Sequence, residues 1–353
     1  MTSFTFEALP GRVVFGVNAV EHLPREIDQL GARRALVLST PQQEALARNV
    51  ASRLGARSAG VYPHAAMHVP VEVADTAIGE AARLGVDCVV AAGGGSTIGL
   101  GKAIALQSGL PILAIPTTYA GSEMTPIYGL TEGGLKRTGR DPRVLPKAVI
   151  YDPALTLELA VTISVTSAFN AIAHAAEALY AQNGNPITAM MAEEGIRAMA
   201  QGIERVVSKP RDEGGRSDCL YGAWLCGAVL GTSSMALHHK LCHVLGGSWN
   251  LPHAETHTVI LPHAIAFNQA AAPDAMRRIA RALNATSAAE GLFGLVKRLG
   301  APLSLAEIGM KRGDLDRAAS LVMTQPYYNP RPVTQEGVRA LLEDAFLGRA
   351  PLG

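Results

Sequence analysis

A chain of 353 residues is long enough for two domains rather than one. Its composition, 48% hydrophobic and 17% charged, suits a large-cored enzyme and excludes a disordered or fibrous chain. A formal net charge of +1 gives no basis for a nucleic-acid or anionic-membrane partner.

Residues 12–17 (RVVFGV) predict an edge strand and residues 20–30 a helix. The apolar run 34–39 (RALVLS) reads as a strand, and the stretch after Pro41 (QQEALARNVASRLG) as a helix. A strand-like piece around Gly60-Val61-Tyr62 precedes a helix over 71–84. Residues 86–92 (VDCVVAA) form a strand that opens into Gly93-Gly94-Gly95-Ser96, followed by a helix to about 107 and a strand at 112–115. This alternation specifies a parallel α/β sheet.

A strand that ends in three glycines and a serine, and then starts a helix, exposes backbone N–H groups at the positive end of the helix dipole. Glycine also lets a phosphate approach the backbone closely. The pattern is not G-x-G-x-x-G after the first strand, and Gly101-Lys102-Ala103 is not the end of a Walker loop. Diphosphate binding is the favoured reading, against a plain strand-to-helix turn. The segment Pro116-Thr117-Thr118-Tyr119-Ala120-Gly121-Ser122-Glu123 is rich in hydroxyls and small residues. It suits a loop at the carboxyl end of a sheet, where open α/β folds bind ligands. A turn held by local side-chain bonds is the alternative. Gly133-Gly134-Leu135-Lys136 reads as a hairpin turn and 148–151 as a strand. Asp152-Pro153 marks the expected boundary between an α/β domain of residues 1–153 and an all-helical domain of 154–353.

Beyond that point helical patterns cover 167–180, 187–206, 271–285, 288–299 and 335–347, with one or two helices over 219–245. Residues 325–332 form a rigid, proline-rich loop. The uncharged run 219–237 has membrane length but contains Gly222, Gly227 and Gly231. It reads as a buried helix, with a membrane span the weaker alternative. Cys88, Cys219, Cys226 and Cys242 form no CxxC pair and read as buried thiols in a reducing compartment. The first residues lack a basic region followed by an apolar one, so no signal peptide is expected and the expected location is cytoplasmic.

Six of the ten histidines fall between Met235 and His263. Imidazole changes charge near neutral pH and is the commonest metal ligand. His239 and His243 are four apart and share a helix face, Gly246-Gly247 is expected to end that helix, and Pro252-His253 lies just beyond. His243 and His253 are read as site residues, whereas His238, His257 and His263 read individually as core or surface histidines. Upstream, Asn170, His174 and Glu177 stand at helical spacing, with Asn170 and His174 four apart. Such a polar pair on an apolar helix is either a satisfied buried network or part of a site.

Taken together, Gly93-Gly94-Gly95-Ser96, Pro116-Thr117-Thr118 with Gly121-Ser122-Glu123, Asp152-Pro153, Asn170-x3-His174-x2-Glu177, His243-x2-Leu-Gly-Gly and Leu251-Pro252-His253 resemble the iron-containing alcohol dehydrogenase superfamily. Within it the chain most resembles the maleylacetate reductase branch, through GGGSTIGLGKAIALQ, IPTTYAGSEMTPIYG, FNAIAHAAEALYA, LHHKLCHVLGG and NPRPVT. The resemblance implies an α/β NAD(P)-binding domain, an all-helical catalytic domain, an active site in the cleft between them, and a homodimer. The implied reaction is the NADH- or NADPH-dependent reduction of maleylacetate to 3-oxoadipate. The implied cofactor contacts are Gly93, Gly94, Gly95, Ser96, Thr97, Thr117, Thr118, Ser122 and Thr40.

Three departures from the superfamily pattern bear on chemistry. Metal-dependent members hold their ion with an aspartate and three histidines, which map to Asn170, His174, His243 and His253. Asn170 removes the anionic ligand, and a neutral amide is a weaker partner for a divalent cation. Three histidines still suffice for zinc with an open position, but the maleylacetate reductase branch implies a metal-free site. Gly99 stands where metal-dependent members carry aspartate. Thr40 stands where an aspartate often binds the ribose hydroxyls and repels a 2′-phosphate, so NADPH is expected beside NADH. His243 and His253 are then the expected hydrogen-bond donor and general acid, with His174 orienting. Lys240, His239, Tyr328 and Arg331 are candidates to meet the substrate carboxylates. Competing readings are a metal-dependent alcohol or polyol dehydrogenase, a sugar-phosphate lyase like the dehydroquinate synthases, and a non-enzymatic nucleotide-binding module.

Overall fold

The computed structural model describes residues 4–9, 11–133 and 135–351. It divides into two units. One comprises Ala8–Leu159 with Arg211–Leu220, and the other comprises Ala160–Pro210, the chain from Tyr221 onward and the residues just before Ala8. The division falls shortly after Asp152-Pro153. There the Asp152 carboxylate accepts N–H groups of Asn18 and Val20 at 3.0 and 3.1 Å, and caps the following turn through Ala154 N–H.

The first unit is built as β1 (Arg12–Phe15), α1 (Leu23–Gln29), β2 (Ala35–Leu38), α2 (Glu44–Leu54), β3 (Ser58–Tyr62), α3 (Val71–Leu84), β4 (Cys88–Gly93), α4 (Gly95–Ser108), β5 (Ile112–Pro116), β6 (Ile127–Glu132), β7 (Leu135–Arg140) and β8 (Ala148–Tyr151). Six strands form one parallel sheet in the order β1-β8-β5-β4-β2-β3, with β1 at an edge as expected. β2, β4, β5 and β8 are buried along their whole length, which is why they read as unbroken apolar runs. Alternate residues feed opposite faces. Ala35, Val37, Val90 and Ile115 pack with α1 and α2, while Leu36, Leu38, Val89 and Ala91 pack with α3 and α4. Each buried leucine or isoleucine in these layers contributes about 2 kcal/mol. Because α2 and α4 leave β2 and β4 to opposite faces, a crevice opens beyond the carboxyl ends of these two strands. β6 and β7 pair as a hairpin around Gly133-Gly134, of which Gly134 lies outside the described residues.

The helical chain runs α5 (Val161–Ala178), α6 (Pro186–Ser208), α7 (Glu213–Thr232), α8 (Leu237–Trp249), α9 (His253–Asn268), α10 (Pro273–Ala282), α11 (Ala288–Arg298), α12 (Leu315–Val322) and α13 (Gln335–Leu347). Among the described residues no single helix is long and apolar enough to cross a membrane, and the uncharged run is broken by a 95° bend between α7 and α8. One expectation is corrected here. Gly246-Gly247 does not end α8, which continues to Trp249 and stops where Asn250 takes a left-handed φ of 52°. His253 opens α9, a helix not expected from the sequence, which tolerates Pro262 in its interior. α8, α9, α12 and α13 share one core through Leu241, Leu245, Ile260, Val322 and Leu342.

Candidate active site

α5 is alanine-rich and buried from Ser164 to Ala178, so neighbouring helices approach it closely and its few polar side chains lie deep. Asn170, His174 and Glu177 are all buried on it. The Glu177 carboxylate accepts the N–H groups of Ala236 and His238 at 2.8 and 2.7 Å, at the start of α8. It also lies 2.7 Å from Nδ1 of His239. A carboxylate that already accepts two N–H groups is an acceptor for the third, so His239 carries a proton on Nδ1 and turns Nε2 away from Glu177.

Around this anchor the rings converge. His239 stacks on His174 with centroids 5.1 Å apart, and His257 lies 5.1 Å from His239. His253 is 4.5 Å from His257, and His243 is 6.3 Å from His239. His174, His238, His239 and His257 are buried, whereas His243 and His253 are exposed. His238 Nε2 and His257 Nδ1 share a hydrogen bond of 2.8 Å. Burial, reinforced by the neighbouring imidazoles, holds His174, His238 and His257 well below the ordinary imidazole range. His174, His238 and His257 are therefore neutral at pH 7. Five buried polar atoms lack a protein partner here: Asn170 Oδ1, His174 Nδ1, His238 Nδ1, His239 Nε2 and His257 Nε2. Buried polar groups in that state call for a water or a polar ligand as partner.

His238, Cys242 and His257 place three potential ligand atoms within 4.8 Å of one another. The direct hydrogen bond between the two imidazoles fills the space an ion would need, and burial pushes the Cys242 thiol up, so it stays protonated. Lys240 is half-buried with its ammonium 5.7 Å above the ring of Tyr327, and it is Tyr327, not Tyr328, that supplies this aromatic face. Tyr328 is exposed. Arg331 donates to the Phe267 carbonyl at 3.0 Å and lies over the Phe267 ring. Glu177, His257 and Tyr327 were not among the sequence-based candidates. Glu177 carried a signal in its position three residues after His174, and His257 in its position four residues after His253.

In the α/β unit the glycine turn caps β4 and starts α4, with Gly94 as the N-cap. A side chain at Gly94 would meet Thr118 Cγ2 at 2.8 Å, and one at Gly93 would meet Gln43 Oε1 at the same distance. Gln43 Nε2 donates to Thr117 Oγ1 at 2.9 Å, and Thr117 N–H donates to the Gly93 carbonyl at 3.1 Å. Thr40 lies two residues beyond the end of β2 and is half-buried; its carbonyl accepts the Gln43 N–H at 3.1 Å. Gly93, Gly94, Thr117 and Thr118 are thus brought together, with Thr40 reaching them only through Gln43. Gly95 is exposed and Ser96 half-buried, and a side chain at Gly95 would meet no heavy atom within 4 Å. Thr97 is buried under Gly93. A side chain at Gly99 would lie 2.7 Å from Val69, so the fold has no room there for an aspartate.

With this geometry in hand, the chain can be set beside known proteins. A family model described as iron-containing alcohol dehydrogenase matches residues 10–153, and one described as the C-terminal part of the Fe-containing alcohol dehydrogenase family matches residues 164–346. The chain is 62% identical to a maleylacetate reductase of Burkholderia cepacia over 99% of its own length and all of that protein. It is 54% identical to a maleylacetate reductase of Agrobacterium tumefaciens whose crystal structure superposes with a TM-score of 0.97, covering 99% of this chain and 100% of that one. A crystal structure of a putative alcohol dehydrogenase from Ralstonia eutropha JMP134 superposes with a TM-score of 0.98 at 61% identity, each chain fully covered.

Proposed function

Because the chain belongs to the iron-containing alcohol dehydrogenase family, we propose that it is an NAD(P)H-dependent maleylacetate reductase that works without a metal ion. The observation that carries the reading is Asn170, a neutral amide with an unpartnered oxygen, standing four residues before His174 on buried α5. The residues present do not fit divalent iron. The nearest carboxylate, Glu177, is committed to two backbone N–H groups and His239, so only neutral donors remain.

Maleylacetate carries two carboxylates and a carbon–carbon double bond conjugated to a ketone. Hydride from the reduced nicotinamide adds to the alkene carbon β to the ketone, and charge develops on the ketone oxygen as an enolate. Hydrogen-bond donors aimed at that oxygen supply the main stabilisation. His243 and His253, the exposed members of the cluster, are the residues assigned to donate there and to return a proton to the neighbouring carbon, a reading supported by their exposure. His174 and His239 form the layer behind them. Lys240 and Arg331 are the cations assigned to the substrate carboxylates. Thr40 supports use of both NADH and NADPH, since no carboxylate at that position repels a 2′-phosphate. The exposed edge of β1, where Phe15 is 37% accessible, supports a homodimer. Four free buried cysteines suit a reducing, cytoplasmic setting.

The test is NADH oxidation by the purified protein with maleylacetate, before and after chelation. Fast turnover that survives chelation is the expected result. Chelator-sensitive oxidation of a simple alcohol, with no turnover of maleylacetate, would overturn the reading.

A further inference from the structure

Lys102 sits in the body of α4 with 1% of its surface accessible. Its ammonium lies 2.7 Å from the Ser122 carbonyl oxygen, 2.9 Å from that of Thr125 and 2.7 Å from that of Ile127. The Thr125 and Ser122 hydroxyls complete the shell at 3.0 and 3.4 Å. Three N–H donors thus meet three carbonyl oxygens, all from one stretch of six residues. This is how a fold would hold a desolvated monovalent cation, except that here the cation is tethered to a helix. Burial pulls Lys102 down to about 7 and pushes the buried Glu123 carboxyl up, while the two groups oppose each other's shift. Glu123 Oε1 accepts from the Tyr151 hydroxyl at 2.7 Å. The three carbonyl oxygens around Nζ call for the third proton that makes Lys102 an ammonium.

The stretch that Lys102 holds is the far end of the loop that begins at Thr117. The near end is tied to the glycine turn through Thr117 N–H on the Gly93 carbonyl and through Thr118 against Gly94. α4 therefore carries the glycine turn at its N-terminus and, about two turns on, the cation that fixes the loop beside that turn. Helix and loop are locked to each other at both ends.

We propose that Lys102 is a positioning residue for the dinucleotide: its ammonium acts as a built-in monovalent cation that fixes Ser122–Ile127, and with it Thr117 and Thr118, beside the glycine turn. It sets cofactor affinity without touching the cofactor. The proposal rests on the reading that the glycine turn binds the cofactor diphosphate.

The experiment measures NADH affinity of the full-length protein by nicotinamide fluorescence, alongside steady-state kinetics. Lys102→Met keeps the volume and removes the charge. It is expected to raise the NADH Kd by about tenfold or more, the scale of losing hydrogen bonds to a charged group, with most of the kinetic loss in KM for NADH rather than in kcat. Lys102→Ala leaves room for a small cation, so ethylammonium is expected to restore NADH affinity, while sodium chloride at equal ionic strength does not. A Kd for Lys102→Met within about twofold of wild type would overturn the inference. So would a loss in Lys102→Ala that ethylammonium leaves untouched. If neither variant folds, Thr125→Val removes one hydroxyl of the shell and keeps the lysine. It is expected to weaken NADH binding by about threefold to tenfold, and an unchanged Kd would overturn the inference. Wild-type protein that binds no NADH at all would instead remove the cofactor reading on which the proposal stands.

Discussion

Nδ1 of His239 lies 2.7 Å from Oε2 of Glu177, whose other contacts are the backbone N–H groups that open α8. One buried carboxylate thus caps a helix and holds the Nδ1 proton of an imidazole on that helix's first turn. Glu177→Gln offers one acceptor oxygen where three donors need one, and turns an NH2 toward another N–H. The expected outcome is a loss of about 2 kcal/mol in stability and a fall of about tenfold to a hundredfold in kcat/KM. Thermal melts and maleylacetate kinetics on the same preparations check it. A variant with wild-type melting and full turnover would remove Glu177 from both roles.

The histidines also predict a direction of pH dependence. His263 is held down to about 4 by burial, with Asp344 pulling weakly the other way. In the unfolded chain it binds its proton near 6.5. Between those values the unfolded state holds more protons, so stability is full above about 6.5 and is lost as pH falls towards 4. His174, His238 and His257 are also lowered and add to the same acid-side loss. His263→Gln is expected to remove up to one proton from the linkage, flattening the slope of unfolding free energy by up to roughly 1.4 kcal/mol per pH unit between pH 6 and 5. Urea unfolding of wild type and variant at several pH values measures it, and parallel slopes would show that His263 does not titrate on unfolding.

The parts of the fold that were legible in the sequence share a physical cause. β2, β4 and β5 are short, unbroken apolar runs bounded by turn residues, and α3 and α13 carry one polar and one apolar face, so period and punctuation agree. α9 lacks both signals. It is buried from Thr256 to Ile265, so it has no polar face to supply a period, and Pro262 reads as a breaker. Missing that helix hid the four-residue spacing that puts His257 beside His253. Gly246-Gly247 misled in the opposite sense, because a glycine pair stops a helix only where the backbone turns left-handed, and here that residue is Asn250. At the site, Asn170 and His174, and likewise His239 and His243, were visible as polar residues four apart, whereas His253 entered through the crowding of histidines and the family resemblance. Glu177 as an anchor was not visible, because its partners lie about sixty positions away.

Cofactor choice gives a third test. Thr40 follows β2 and stands at the start of the short turn 41–43 in extended backbone, φ −76° and ψ 162°, with no hydrogen bond from its side chain to that turn. An aspartate would accept from the ribose hydroxyls and repel a 2′-phosphate. Thr40→Asp is expected to lower kcat/KM for NADPH by about tenfold or more while leaving NADH within a few fold. The ratio of the two constants, measured in one buffer, is the readout. An unchanged ratio would place the adenosine ribose elsewhere.

The glycine turn allows a test in which folding and binding move in opposite senses. A side chain at Gly93 would sit 2.8 Å from both Thr97 Cβ and Gln43 Oε1 inside a packed layer, so Gly93→Ala must displace neighbours. Overpacking of that kind costs about 1–3 kcal/mol, and the melting temperature is expected to fall. Gly95 differs. It is exposed in the first turn of α4, a methyl group there would meet nothing within 4 Å, and its φ is not positive. Alanine there reduces the freedom of the unfolded chain and favours the helix, so stability is expected to hold or rise by about 0.5 kcal/mol. The added methyl group would nevertheless occupy the space where a diphosphate meets the N-terminal N–H groups of α4, raising the NADH Kd by about tenfold. A Gly95→Ala protein that melts no lower than wild type yet binds NADH poorly locates the phosphate at this turn. One that melts no lower and binds NADH normally would show that the open space beside Gly95 is not where the cofactor lies.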